Sequence, residues 1–537
     1  MAGVVRDMAL QAAEDAWESA AAASPEARVH MRCEREWGRP TVTWFPVGLD
    51  TVTDNHEKIA NGVMYGLPFP WSEETMASFG PEWLTTAFHA CGSMPKRNSV
   101  TKVIIDERRV TAGNNSGKFM FDVEYAHPDP ALHTKLFAKV PFAMTPATKS
   151  DRFSSSVYKQ PMDFFEVNTY RLFENSFPMK TPRFYYGDIS NESTNFIIIM
   201  ERVAFAELDG PGQRKLKAYE IEGPYDKCKD FQLRGQDREY YTQMLRVSAR
   251  IAAFHKVGRF GHQDFLQQNI SMPRAVPDRA AWGCHPWAAT GLPPEDLARK
   301  LQVAYGFVSD TAKVLYPDYV ATEGFREKFL RTMMTRAAYS AEIDFWKNNN
   351  PDYVALGHQN LNIDNAYFWR DSDGQLDCGI YDWGGFGSSS LGHKIYWMFN
   401  CSDFDQFREN LDHYLDTFIS MYRESGGPQL DKGLLRMQVL LTSLENMQFM
   451  VLAVPNCFKM CPTKEWATIR DRHDPRIAGN IDGKSTLRTT LHCLLNGLRI
   501  LEEVKSDDIL SSWIQKVYVG EWGEQPKPDA IIWGNAA

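Results

Sequence analysis

The stretch from Val100 to Val203 constrains the fold more than any other. It reads strand, strand, strand, helix, strand, strand. "VTKVIIDERRV" (100–110), "FMFDVEY" (119–125) and "TKLFAKVPF" (134–142) are strand-like, the last two with alternating apolar residues. Between the first two lies "TAGNNSGKF" (111–119), with Gly113, Asn115 and Gly117, and a Gly/Asn turn between strands is a hairpin signal. "PMDFFEVNTYRLFEN" (161–175) opens on a proline and has helical apolar spacing. "RFYYGDI" and "NFIIIMERV" (195–203) read as two further strands. Helical patterns dominate afterwards, at 240–258, at about 294–348 and from 403 onward. The expected class is α+β, a small antiparallel sheet followed by a large, mainly helical part.

The rest of the chain divides around that block. Residues 1–95, rich in Trp, Pro and Gly, read as an extension packed on a neighbouring lobe. Residues 96–204 form the sheet lobe, 205–239 a polar insertion or linker, 240–520 the helical lobe and 521–537 a tail. Residues 259–295 read as loop. A net charge of −9 without a long basic run disfavours nucleic acid and anionic membrane as general partners. No apolar run reads as long enough to span a bilayer, and the N-terminus lacks a secretory core segment. Nine cysteines are scattered along the chain; Cys457 and Cys461 have no second Cys/His pair at zinc-like spacing. That usage fits a reducing, cytoplasmic compartment.

Several polar residues stand where phosphoryl transfer needs them. The 111–119 turn can bring backbone N–H groups to an anion, although such a turn is more often an ordinary hairpin turn. Lys139 is a charge inside the apolar run "LFAKVPF", so it needs an acidic partner, a phosphate or solvent. Glu166 falls at the start of the following helix, where an acid is also favoured by the helix dipole. "GHQNLNIDNAYF" (357–368) holds His358, Asn360 and Asn365, and "CGIYDWGGF" (378–386) holds Asp382. The interval between Asn365 and Asp382 accommodates a strand, the turn "RDSDGQ" and a second strand, a hairpin with a candidate Mg²⁺ ligand at each end. A similar frame, "GHQDFLQQNI" (261–270), contains His262, Asp264 and Asn269, but no strand hairpin ending in Asp follows it.

Taken together, "GNNSGKF", "LFAKVPF", "FFEVNTYRLF", "FIIIMERV", "RIAAFHK", "HQNLNIDN" and "IYDWGGF" resemble the aminoglycoside phosphotransferase/choline kinase family, especially its ecdysteroid-kinase-like branch, over roughly residues 95–510. The resemblance implies a protein-kinase-like two-lobed fold, ATP with Mg²⁺, and transfer to the hydroxyl of a small-molecule acceptor. By it, Gly113, Asn115 and Gly117 cover the phosphates, Lys139 binds the α/β-phosphates and Glu166 orients that lysine. Asn365 and Asp382 hold metal, and the backbone around Glu201–Val203 contacts adenine.

Two positions depart from the family pattern. Gln359 replaces the usual Gly, and Asn360 replaces the catalytic Asp. A carboxamide accepts a hydrogen bond but cannot take a proton at neutral pH. General-base help is worth roughly 10²–10⁴ in rate. Three readings fit: a slow or substrate-assisted kinase, a nucleotide-binding pseudokinase (or another reaction in the same cleft), and an Asp-to-Asn variant of an active enzyme. Trp383 and Trp397 are candidates for core packing or for a pocket wall.

Overall fold

The computed structural model describes residues 24–108, 110, 116–158, 160–206, 216–272, 290–478 and 486–534. The chain forms two compact units, and the division does not follow the sequence. The first unit contains the described residues up to Leu216 together with Phe260–Ser271 and Gly379–Phe386; the second contains Lys217–Arg259, Met272–Cys378 and the chain from Gly387 on.

In the first unit, β1 (Val100–Ile105), β2 (Gly117–Tyr125), β3 (Lys135–Val140), β4 (Phe184–Ile189) and β5 (Phe196–Glu201) form one sheet. Its order is β1-β2-β3-β5-β4, and every pairing is antiparallel. Alternation sorts the side chains. Phe119, Phe121 and Val123 on β2 and Leu136, Ala138 and Val140 on β3 are buried apolar residues, and the residues between them in sequence face the other way.

Residues 24–95 are integral to this unit. Helix α1 (Pro25–Trp37) starts on Ser24, whose hydroxyl accepts from the Ala27 amide at 3.1 Å. It lies against α3 (Gln160–Phe173), the helix that carries Glu166. The last carbonyls of a helix lack partners within it. Here Arg32 donates to the carbonyls of Arg171 (2.9 Å) and Tyr170 (3.3 Å), and Trp37 Nε1 donates to that of Leu172 (2.7 Å). Arg32 also pairs with Glu174 at 2.5 Å, and Arg171 with Glu36 at 2.7 Å. At the other end of α3, the Gln160 carboxamide exchanges two 2.8 Å hydrogen bonds with the Val47 backbone. Helix α2 (Glu73–Cys91) begins with a capping box between Ser72 and Thr75 and kinks at Gly80, whose φ is 69°.

Asp188 on β4 fastens the arm a second time. Its carboxyl accepts from the amides of Met64 (2.8 Å), Tyr65 (3.0 Å) and Ile189 (2.9 Å) and from the Tyr186 hydroxyl (3.2 Å). Gly62 makes this approach possible: a Cβ there would fall 2.0 Å from Asp188 Cγ. Residues 259–295 are not loop throughout, because Gln263–Asn269 forms a two-turn helix within the first unit.

The second unit is mainly helical. It contains α4 (Asp237–Lys256), α5 (Pro294–Gly306), α6 (Glu323–Ala338) and α7 (Ser340–Asn349). After β6 (Val354–His358), β7 (Ala366–Arg370), β8 (Leu376–Ile380) and β9 (Phe386–Ser390) come α8 (Leu391–Phe399), α9 (Phe404–Glu424), α10 (Lys432–Met460) and α11 (Thr486–Glu503). Strand β6 pairs with β9, and β7 with β8. Contrary to the sequence reading, α10 is long and apolar enough to cross a membrane by length and composition. Yet 72% of its apolar window is buried: Leu441, Leu444, Met447 and Val451 pack in a core with Leu491, Leu494 and Leu498 of α11. Cys457 and Cys461, on and just after α10, are buried in the same core.

Burial pushes the Asp188 carboxyl up to about 7, against the pull of the three amides that bind it. An acid whose folded pKa exceeds its unfolded value holds its proton longer in the native state. Its contribution to stability therefore falls as pH rises from about 4 through about 7. Asp188→Asn is expected to flatten the pH dependence of the urea midpoint over that interval.

Candidate functional site

The central strand β3 places Lys139 among two carboxylates. Its Nζ lies 2.5 Å from Glu166 Oε2 and 2.7 Å from Asp382 Oδ1. Lys139 and Glu166 are buried, at 6% and 1% exposure, so neither charge survives there alone. Burial pulls the Lys139 ammonium down, but Asp382 and Glu166 outweigh it and hold the group above the ordinary lysine value. Burial likewise pushes the Glu166 carboxyl up against the pull of Lys139. The second Glu166 oxygen, Oε1, is buried without a hydrogen-bond partner among the described residues.

Asp382 reaches this cluster because residues 379–386 fold with the sheet. Ile380 N–H donates to the Lys180 carbonyl at 3.0 Å. Trp383 is fully buried, stacks on Phe177 with ring centroids 4.3 Å apart, and donates from Nε1 to Thr181 Oγ1 at 2.9 Å. It is a core residue that anchors the turn. Asp382 itself sits in the left-handed region, with φ 63° and ψ 58°, a conformation that aspartate tolerates better than most residues and that functional turns often hold. Gly384 follows, and a Cβ there would lie 3.2 Å from Glu166 Oε2.

Gly117 opens β2, while Gly113 and Asn115 lie outside the described residues. Next to Gly117 stands a lysine that the sequence reading passed over. Lys118 is directly opposite Lys139 in the β2–β3 register. Its only sequence signal is its place after a glycine turn; the register that opposes it to Lys139 is a property of the folded hairpin. At the end of β5, Glu201 N–H donates to the Arg183 carbonyl at 2.8 Å, and Arg202 N–H to that of Lys135 at 3.1 Å. The Val203 carbonyl accepts from Phe205 N–H at 3.1 Å. The Val203 amide is the first after the sheet without a hydrogen bond among the described residues.

In the second unit, β6 ends on His358, which is buried, and the Asn360 amide donates to its Nδ1 at 3.3 Å. That bond makes Nδ1 the lone-pair nitrogen of the ring. The following loop is braced by its own backbone. Asn360 O accepts from Asn362 N–H (2.7 Å) and from Asn365 Nδ2 (2.8 Å). Asn365 is thereby oriented with its Nδ2 spent and its Oδ1 accepting no hydrogen bond among the described residues, the presentation a hard cation such as Mg²⁺ requires. The Asn360 carboxamide is half-buried and makes no hydrogen bond among the described residues. Asp364 lies 3.6 Å from Lys227 Nζ.

Asn362, also unremarked in the sequence reading, secures the loop. It is buried, and its Nδ2 donates to Trp397 O (2.7 Å) and Asn400 Oδ1 (2.9 Å) at the end of α8. Trp397 is half-buried, and its Nε1 has no hydrogen-bond partner among the described residues. The hairpin β7–β8 begins directly after Asn365 and ends two residues before Asp382. The earlier frame takes no comparable form. His262 and Asp264 are exposed at the start of a helix, and Asn269 bonds back to the Phe265 carbonyl at 2.9 Å.

No protein-family model matches this chain, and no curated protein does. Among solved structures, it is similar to a microcompartment-associated aminopropanol kinase, with 12% identity, 76% of this chain and 94% of the other covered, and a TM-score of 0.34. It is also similar to the GDP complex of aminoglycoside 2'-phosphotransferase-IIIa, with 11% identity, 74% and 93% covered, and a TM-score of 0.34. A choline/ethanolamine kinase family protein from Mesorhizobium loti gives 10% identity, 72% and 92% covered, and a TM-score of 0.29. At scores this low the α+β assignment rests on the elements described above rather than on these likenesses.

Asn362→Ala would leave the buried Asn400 oxygen and the Trp397 carbonyl without this donor. A stability loss of about 1–3 kcal/mol is expected, measured by urea unfolding.

Proposed function

We propose that this chain is an ATP- and magnesium-dependent phosphotransferase acting on a hydroxyl of a small metabolite, with a rate held down by Asn360. The observation that carries the proposal is Lys139 between Glu166 and Asp382. A buried lysine gripped by a helix carboxylate on one side and a turn carboxylate on the other is the arrangement that phosphoryl transfer uses to hold a triphosphate. In this reading Lys139 neutralises the phosphates and Glu166 fixes its direction. The phosphates lie against the start of β2 at Gly117, and the Val203 amide meets the adenine edge beside Glu201.

Asn365 in the second unit and Asp382 in the first each carry an oxygen donor of the kind that Mg²⁺ takes, a carboxamide oxygen and a carboxylate. When bound, the ion would supply charge neutralisation for the transferring group. His358 supports the loop through the Asn360 amide. Asn360 positions the acceptor hydroxyl without removing its proton, so the proton leaves to solvent or to the phosphate itself. Phosphoryl transfer depends mostly on positioning and electrostatics, which this change leaves in place.

A second reading, a nucleotide-binding pseudokinase with a regulatory role, is favoured by that same amide, which cannot act as a base. The two separate on turnover. Calorimetry is expected to show Mg-ATP binding that Asp382→Ala weakens severely; no binding by the wild-type chain would sink both readings. Incubation with ATP and a metabolite extract, followed by mass spectrometry, is expected to yield one acceptor gaining a phosphate. An added nucleotide, or no product at all, would point away from kinase activity. Asn360→Asp is expected to raise the transfer rate by roughly 10²–10⁴ if a missing base limits it.

A further inference from the structure

A cavity of about 420 Å³ opens in the second unit, lined by the start of α4, the first residue of β8 and the middle of α9. None of the residues assigned above to nucleotide, metal or acceptor lines it. Part of its lining is polar, buried and already satisfied. Thr242 and Gln243 are both buried. The Gln243 carboxamide donates to Asp377 at 3.0 Å. Thr242 Oγ1 donates to the Arg238 carbonyl and stands 3.0 Å from His413 Nε2. The single hydroxyl proton is spent on that carbonyl, so His413 donates from Nε2 and the neutral ring keeps its lone pair on Nδ1.

The rest of the lining carries positive charge that no described residue answers. Arg238 and Arg246 are exposed residues of α4, eight apart with Thr242 midway. Neither guanidinium makes a hydrogen bond or an ion pair among the described residues. Both act on the same imidazole: burial, Arg238 and Arg246 hold His413 below its ordinary value, against the pull of Asp416. The acids nearby are already engaged. Glu239, which also lines the cavity, accepts from both terminal nitrogens of Arg370, at 2.8 and 2.7 Å. Asp416 is held by Lys432 at 2.8 Å, and Asp377 accepts from Gln243 and from the Cys378 amide (2.8 Å). Gly235 and Gln236 border the cavity as well, so the N-terminal end of the 20-residue α4 brings its partial positive charge to the same place.

We propose that this cavity binds a small phosphate monoester, with the phosphate held between Arg238 and Arg246 and beside His413. A phosphate monoester carries close to two negative charges at neutral pH and three acceptor oxygens. Guanidinium groups bind such oxygens as two-pronged donors. A volume of about 420 Å³ lies within the range of roughly 300–1,000 Å³ usual for metabolite sites, which leaves room for an organic part beside the phosphate. The site is distinct from the cluster around Lys139, and the inference stands whether or not the chain transfers phosphate.

The test is calorimetry of the chain with glycerol 3-phosphate, inorganic phosphate and glycerol. Glycerol 3-phosphate is expected to bind more tightly than inorganic phosphate, and glycerol not at all. Arg238→Met and Arg246→Met are each expected to lose about tenfold to a hundredfold in affinity for the ester. Their urea midpoints should match the wild type, because both side chains are exposed and unpaired. Arg423→Met, at an exposed arginine of α9 outside the cavity, should bind the ester as the wild type does. No binding of the ester by the wild-type chain overturns the inference. Unchanged affinity in both cavity variants also overturns it, since the ester would then sit elsewhere. An equal loss in Arg423→Met would reveal general surface attraction, and binding of inorganic phosphate without the ester would reveal a bare-anion site; either overturns it. A fall in urea midpoint that parallels the loss of affinity would make the arginines structural and overturns it too.

Discussion

A buried lysine sets the conditions for the rest of the first unit. Lys139 can be ionised at 6% exposure only if carboxylates are delivered to it and held. One comes from α3, the other from a turn 243 residues after Lys139 in the chain. The architecture of the unit can be read as the means of that delivery. Strand β3 lies between β2 and β5, where the ladder fixes it from both sides. Helix α3 is capped by Arg32 and Trp37 and tied to the arm at its start by Gln160. The 379–386 turn is pinned by Trp383 on Phe177. Each of these contacts is remote from Lys139, yet each removes a freedom that would let a carboxylate drift away.

Local pattern made much of this legible. Alternation and turn composition located all five strands of the sheet, and helical spacing located α3 and α4, because those signals lie within a few residues of each other. Lys139 stood out as a charge inside an apolar run, and Glu166, Asn365 and Asp382 by their order and spacing along the chain. What escaped depends on long separation. Arg32 and Glu174 are 142 residues apart, and nothing in either neighbourhood announces the pair. Lys118 looked like a residue of a glycine turn until the register set it against Lys139. The helix at 263–269 was hidden inside a polar segment, and α10 passed unnoticed as an apolar helix because polar residues such as Glu445 interrupt its sequence. The split of the chain into units at 379 and 387 has no compositional mark at all.

The loop after β6 separates two questions that a sequence motif joins. Its shape comes from main-chain and anchoring contacts: the Asn360 carbonyl holds Asn362 and Asn365, and Asn362 holds the end of α8. The Asn360 side chain takes no part in that bracing. Exchanging a carboxylate for a carboxamide at this position therefore leaves the scaffold intact and alters only proton chemistry.

The path of the chain through its two units also imposes an order in time. Ribosomes add roughly 5–20 residues per second. The sheet, α3 and the arm are complete early, but Gly379–Phe386 emerges only after about half of the second unit has been made. For roughly 10–35 s after β5 is made the nascent sheet would hold Lys139 against Glu166 alone, with Asp382 not yet synthesised. The Lys139 cluster thus acquires its full complement of charge only when residues 379–386 arrive. A fragment ending before residue 379 can carry the strands and α3 but not the completed cluster.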